Sequence, residues 1–374
     1  LTTSQLNQLS GTQIAALTET QVQGLATTQL PFLHTTRLAA MIGTQIEALT
    51  TTQVASLAVS QLRSMTAADV AEFKDTQIAA MSASQISAIS STALNLLDGS
   101  QIGALTETQM RALTSTQLQG LETTDVQEFT GEQIAALTVS QLRQLSSGNV
   151  SALNSTQLQA LSDEQIQGLT TGQLSGLTAT NVDDLTATQV SALLGTQLAA
   201  MTTAAINSLD ETQIAALSET QVRALTTTQI RAMTTGDISE FSADQVGQLT
   251  TTQVQNMLTA QFSALTETQL AGLGTTQIAV LNTAQWAALG DTQVAELTTT
   301  QLTGLTSTLI RNMSTGDIRE FSADQVRAFT TTQIAAVNST NLSALETSQV
   351  QALTATQLSV LTTTQVSGMT TGDA

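Results

Sequence analysis

The stretch "LTETQVQGL", Leu17–Leu25, reads as a complete miniature helix with its start and stop already written. Thr18 followed three residues later by Gln21 is the capping-box pattern: the hydroxyl accepts from the backbone N–H of the third helical residue, and the amide side chain reaches back to the cap. Leu17 before the cap and Val22 inside the helix occupy the two positions of a hydrophobic staple. About six helical residues fit before Leu25, which becomes the staple of the next unit.

Nearly the same phrase returns as "LTETQMRAL" from Leu105 and "LTETQLAGL" from Leu265, and relatives of it fill everything between. Written in rows of eight from Thr2, the chain gives 46 uninterrupted octads ending at Met369, with columns a to h such that Thr18 is a, Gln21 d, Val22 e and Leu25 h. Columns e and h are apolar in all 46 octads, d is Gln in 35, a is Ser, Thr, Asp or Asn in 35, and g is Ala, Gly or Ser in 31. One long helix cannot use this rhythm, because eight residues advance about 800° and the apolar stripe slips by about 80° per octad. A strand fails as well, since e and h differ by an odd number and would face opposite ways. The fold expected is an all-α solenoid of very short capped helices, one per eight-residue repeat. The alternative is a β-solenoid with Thr strands and stacked Gln ladders; against it stand Ala, Gln, Arg, Leu and Met in columns f to h, which favour helix over strand.

A second period sets the winding. Column d departs from Gln at Arg37, Asp69, Ala93, Asp125, Asn149, Asn181, Ala205, Asp237, Leu309, Asp317 and Asn341. The first eight fall at alternating steps of four and three octads, a period of 3.5 octads or 28 residues; Asp317 and Asp373 keep the phase, whereas Leu309 and Asn341 break it. About 3.5 repeats per coil, with one distinct side, follows by the logic that reads a helix face from three-and-four spacing. Small g residues let coils stack at roughly 8–10 Å, so residues 1–374 are expected to form one continuous array, a rod on the order of 110–130 Å long. The array begins in column h at Leu1 and stops in column e at Ala374 without capping sequence, and reads as a segment of a longer array or filament.

The acids of column g fall on the distinct side. Column g is acidic only at Glu72, Glu128, Asp184, Glu240, Glu296 and Glu320, five of them spaced by 56 residues. Four have a d carboxylate three residues earlier, on the same helix face: Asp69 with Glu72, Asp125 with Glu128, Asp237 with Glu240, Asp317 with Glu320. These residues are candidates for a docking interface between copies or for a divalent cation such as calcium, which takes six to eight oxygens and would need ligands from a neighbour. The plain alternative is that Asp still caps, the g acid is solvated, and the Phe that follows fills core. Eight of the ten basic residues are Arg in column f, and Arg63, Arg231 and Arg311 each stand six residues before a d Asp, as intermolecular salt-bridge partners.

Composition excludes several functions. With 10 basic and 29 acidic side chains the net charge is -19, which repels nucleic-acid phosphates and anionic lipids. There is no Cys for disulfides or thiolate metal sites, and no apolar run approaches a membrane span. His34 is the only histidine, set beside Pro31, Phe32 and Arg37 in the least regular octads, so no metal cluster or nucleophile-base pair recurs. No enzyme, cofactor or small-molecule substrate is expected. Trp286 occupies column e as core, and the sequons at Asn149, Asn154, Asn338 and Asn341 are of the kind a Ser/Thr-rich chain produces by chance.

The phrases "LTTTQVxAL" and "LTETQVxAL" resemble the Thr/Gln/Ala-rich repeat tracts of very large secreted bacterial surface proteins, including adhesins and filament-forming proteins. That resemblance is one of composition and rhythm, and it implies an extracellular or cell-surface structural protein. The expected function is a homo-oligomeric rod or filament built by self-association, with an adhesin stalk, a cation-binding scaffold or an ice-binding "TxT" surface as alternatives.

Overall fold

The computed structural model describes residues 1–369; Asp373, the last position of the 28-residue period, lies outside them. The described residues form α-helices of four to six residues, one per octad, and no strand. The β-solenoid alternative is thereby excluded. Octad four alone departs: Pro31 sits in a 3-10 turn, Leu30–Phe32, and His34 becomes the N-cap of the next helix, Thr35–Leu38.

Each octad turns its corner as the capping signals require. In the helix Thr227–Ala232, the cap Thr226 is extended, its Oγ1 accepts from Gln229 N at 3.2 Å, and Gln229 Oε1 accepts from Thr226 N at 2.8 Å. No described residue has positive φ, so the corners are made by extended h and a residues and need no glycine. The e and h side chains point inward and form the core, from Val22 and Leu33 through Ile230 and Met233 to Ile334 and Val337.

Successive coils are joined by the same glutamines that close the capping boxes. Gln229 Nε2 donates to the carbonyls of Leu198 and Met201, both at 2.9 Å, 31 and 28 residues earlier. Gln109 does the same to Ile78 and Met81 at 2.8 and 2.7 Å, and Gln333 to Leu302 and Leu305 at 2.7 and 2.8 Å. A d residue therefore lies over the h residue 28 positions back, which is the 3.5-octad coil. It gives a second hydrogen bond to the e carbonyl, which already accepts from the h N–H of its own octad, and one to the h carbonyl beyond the helix end. Column f adds a second tie in the other direction, to a g carbonyl 25 residues ahead: Asn95 to Gly120 at 2.7 Å, Arg143 to Gly168 at 2.6 Å, Asn207 to Ala232 at 2.6 Å.

Small g residues are where coils approach most closely. A Cβ on Gly272 would lie 2.1 Å from the Ala243 carbonyl oxygen, and one on Gly304 2.4 Å from that of Thr275. The chain falls into two compact units of the same construction, Leu1–Leu193 and the residues from Leu194 onward.

Two comparisons test this construction. Gln253 donates to Val222 and Leu225 and accepts from Thr250 N, whereas Gln255, two positions on, has an exposed side chain. Gln253→Ala is expected to cost about 2–4 kcal/mol in urea unfolding, because it strands buried backbone groups, and Gln255→Ala less than about 0.5 kcal/mol. Likewise Gly272→Ala should destabilise by about 1–3 kcal/mol through overpacking. Gly236→Ala, which meets nothing nearer than Thr234 Oγ1 at 3.4 Å, should be neutral or stabilising by up to about 1 kcal/mol from helix propensity.

Candidate functional site: the acidic side of the coils

Where d is not glutamine, half of its work is lost. Asp69, Asp125, Asp237 and Asp317 still complete the capping box, accepting from Thr66, Glu122, Thr234 and Ser314 N at 2.9, 2.7, 2.7 and 2.7 Å. A carboxylate has no hydrogen to donate, so it cannot serve the carbonyls of the coil below. Asn retains one bond where Gln makes two or three: Asn149 to Leu121, Asn181 to Leu153 and Asn341 to Met313. At each of these positions some or all of the donation to the coil below is lost.

Of the g acids, Asp184, Glu240 and Glu320 are half-buried, and Glu72, Glu128 and Glu296 are exposed. Glu72 lies over the first residue of the helix Gly43–Ala48, its carboxyl carbon 2.8 Å from where a Cβ on Gly43 would be. The positive end of that short helix suits a carboxylate. Glu128 is placed the same way over Gly99, 3.6 Å from its would-be Cβ. Glu47, Glu72, Asp75 and Asp98 gather with Lys74 around an open groove of about 360 Å³.

Three of these acids meet a further acid from the coil below, which the i,i+3 pairing alone did not bring together. Burial pushes the Glu128 carboxyl upward, aided by Asp125 and by Asp98, the N-cap of Gly99–Gly103. Glu240 is raised by burial, then by Asp237, Glu211 and Asp210. Glu320 is raised to about 7 by burial, by Asp317 and Asp291, and by a hydrogen bond with the Asp291 side chain. Asp125, 7% exposed, is raised by burial despite the bond from Glu122 N. The partner acids stand at a or b, 29 or 30 residues before the g acid, a spacing that becomes meaningful once the coil length is known.

The expected interface arginines remain at the surface: Arg63, Arg231 and Arg311 are exposed. Arg223–Glu219 and Arg327–Asp324 form ion pairs, each within one helix. Asp184 and Glu296 occupy the same g position in octads whose d residues are Asn181 and Gln293. Among the described residues, no group of three or more His, Asp or Glu side chains is placed to hold a metal ion. No helix of these residues is long and apolar enough to cross a membrane.

The direction of a pH effect follows from these shifts. An unfolded Glu ionises near 4.5, whereas folded Glu320 keeps its proton to about 7, and Glu128 and Glu240 shift the same way. Between those values the folded chain holds protons that the unfolded chain releases, so stability rises as pH falls through that window. Asp98, lowered chiefly by the Gln101 backbone N–H, and Asp210, lowered chiefly by the Thr212 hydroxyl, contribute stability that is lost as pH drops below 3.8. Melting followed by circular dichroism should therefore give a midpoint that climbs on acidification from about pH 8 and turns down below 3.8. A midpoint falling steadily from neutrality downward would contradict this assignment.

Among known proteins, the family model of the ALTTAQ repeat matches residues 139–171 in the first unit and 194–227 and 220–251 in the second. Those six letters fall in this chain's register on columns g to d, as in Ala224–Gln229, the segment that carries staple, cap and box. No curated protein matches the chain. The matched segments are thus similar to a repeat family, and the repeat is the one whose geometry is given above.

Proposed function

We propose that the chain is an extracellular structural protein that self-associates through its acidic side into a filament or bundle. The observation that carries this reading is the recurrence of g acids every 56 residues, at Glu72, Glu128, Asp184, Glu240 and Glu296, three of them three residues after a d Asp that lacks the amide donor of Gln. An acceptor-rich surface is complemented by a donor-rich one. The exposed column-f arginines Arg63, Arg231 and Arg311 of another copy supply planar, permanently charged donors suited to carboxylates. The uniformity of the octads supports a mechanical task over catalysis, since a repeated surface offers many equivalent contacts and no singular pocket. Similarity to Thr/Gln/Ala-rich tracts of secreted bacterial surface proteins supports the location.

Negative-stain electron microscopy of the purified chain tests it. Filaments or bundles are expected at roughly 0.1 M salt and should disperse at about 1 M, where the screening length falls to about 3 Å. Replacing Arg63, Arg231 and Arg311 together by Glu should abolish them while leaving the helical circular dichroism intact. Dispersed single particles of the unmodified chain at low salt would overturn self-association and favour the adhesin-stalk reading.

A further inference from the structure

We propose that the second unit contains a built-in parting seam: the interface between octads 274–289 and octads 306–321 of the next coil opens ahead of its neighbours when the array is stressed by denaturant or load. The seam is internal to one chain and does not rest on self-association. On both sides of it the amide ties are intact. Gln301 Nε2 donates to the Leu270 and Leu273 carbonyls at 2.7 and 2.8 Å, and Gln325 Nε2 to those of Val294 and Leu297 at 2.8 and 3.0 Å. Between these two glutamines column d holds Leu309 and Asp317, 28 residues after Leu281 and Leu289. Leucine has no polar hydrogen and a carboxylate has none to donate, so column d gives the Leu281 and Leu289 carbonyls no bond.

Adjacency sets this place apart. At least two glutamine octads separate every other pair of successive departures in column d, so a tie missing elsewhere is bridged on either side. The second kind of tie fails here too: the column-f residues 25 positions before Asn312 and Glu320 are Ala287 and Ala295, which carry no side-chain donor. Toward the following coil, by contrast, the same two octads are fastened. Asn341 Nδ2 donates to the Met313 carbonyl at 2.8 Å, Gln349 Nε2 to that of Phe321 at 2.6 Å, and Arg319 Nε to that of Ala344 at 2.8 Å. Octads 306–321 therefore travel with the coil after them when they part from the coil before.

Apolar packing spans the seam. Phe321 stacks on Trp286 across it with ring centroids 5.6 Å apart and meets Phe329 edge-on at 4.9 Å, and Leu281, Leu289, Leu309 and Met313 are buried along it. Trp286 is 1% exposed, its indole N–H is buried with no partner, and it is the only tryptophan in the chain. No hydrogen bond fixes the ring, and its emission reads this interface. Packing without directional bonds yields before similar packing reinforced by amide ties. A rod so built gives way at one defined place and leaves its other coils wound.

The experiment is urea unfolding of the full chain at about 1 M salt, where screening removes association between carboxylates and arginines, followed in parallel by Trp286 emission and by far-ultraviolet circular dichroism. In the unmodified chain the emission should shift to the red at lower urea than the loss of helix. Leu309→Gln together with Asp317→Gln, which puts in the residue that column d carries in 35 octads, should bring the two midpoints together. Two restored ties should lower the open population by about ten- to a hundredfold, read as reduced quenching of Trp286 by acrylamide before the main transition. Asp237→Gln, which repairs an isolated departure in the same unit, should leave the gap between the midpoints as it was. Coincident transitions in the unmodified chain, a gap that the double variant does not narrow, or one that Asp237→Gln closes equally would overturn the seam.

Discussion

The buried glutamine amide is the interaction on which the rest of this architecture depends. Helices of four to six residues leave most of their backbone groups without intrahelical partners, because four N–H groups and four carbonyls are unmatched at the ends of any helix. A column-d glutamine answers both ends at once: its oxygen takes the N–H of its own cap, and its nitrogen feeds the C-terminal carbonyls of the coil beneath. The side chain must offer an acceptor and two donors on a planar group of the right reach, and only Gln does. Glu lacks the donor and Asn the length, as the single bonds of Asn149 and Asn181 show. The Thr half of the box is more dispensable. Leu194, Leu258 and Gly274 replace the cap hydroxyl, yet their N–H groups still bond to Gln197, Gln261 and Gln277 at 2.7, 2.8 and 2.6 Å.

That dependence explains what an acid in column d costs. Replacing Gln by Asp removes the tie to the coil below and puts a negative group where a donor is wanted. Each such replacement weakens the coil interface locally, and the acids from neighbouring coils then crowd one another. At Glu128, Glu240 and Glu320 burial and the neighbouring acids raise the affinity for a proton.

Much of this was legible in the octad itself. The capping box, the staple and the inward e and h columns follow from a single row such as Leu17–Leu25, because helix capping is local chemistry, and the 28-residue coil follows from where column d breaks its rule. The plain reading of the d acids also stands, since Asp69, Asp125, Asp237 and Asp317 do cap. The irregular octads around Pro31 and His34 were recognisable as irregular, and a 3-10 turn replaces the helix there because the proline ring fixes φ and removes a donor.

What the sequence determined by itself is the alphabet: short helices, their corners, their apolar faces and the length of the winding. Only the tertiary structure decided what the glutamine nitrogen does, because its partners lie 28 and 31 residues away and no local rule refers to them. It also decided which acids meet. Asp98 and Glu128 stand in separate octads, and come near one another because the coil closes and lays column g over the start of the helix below, Glu128 over Gly99.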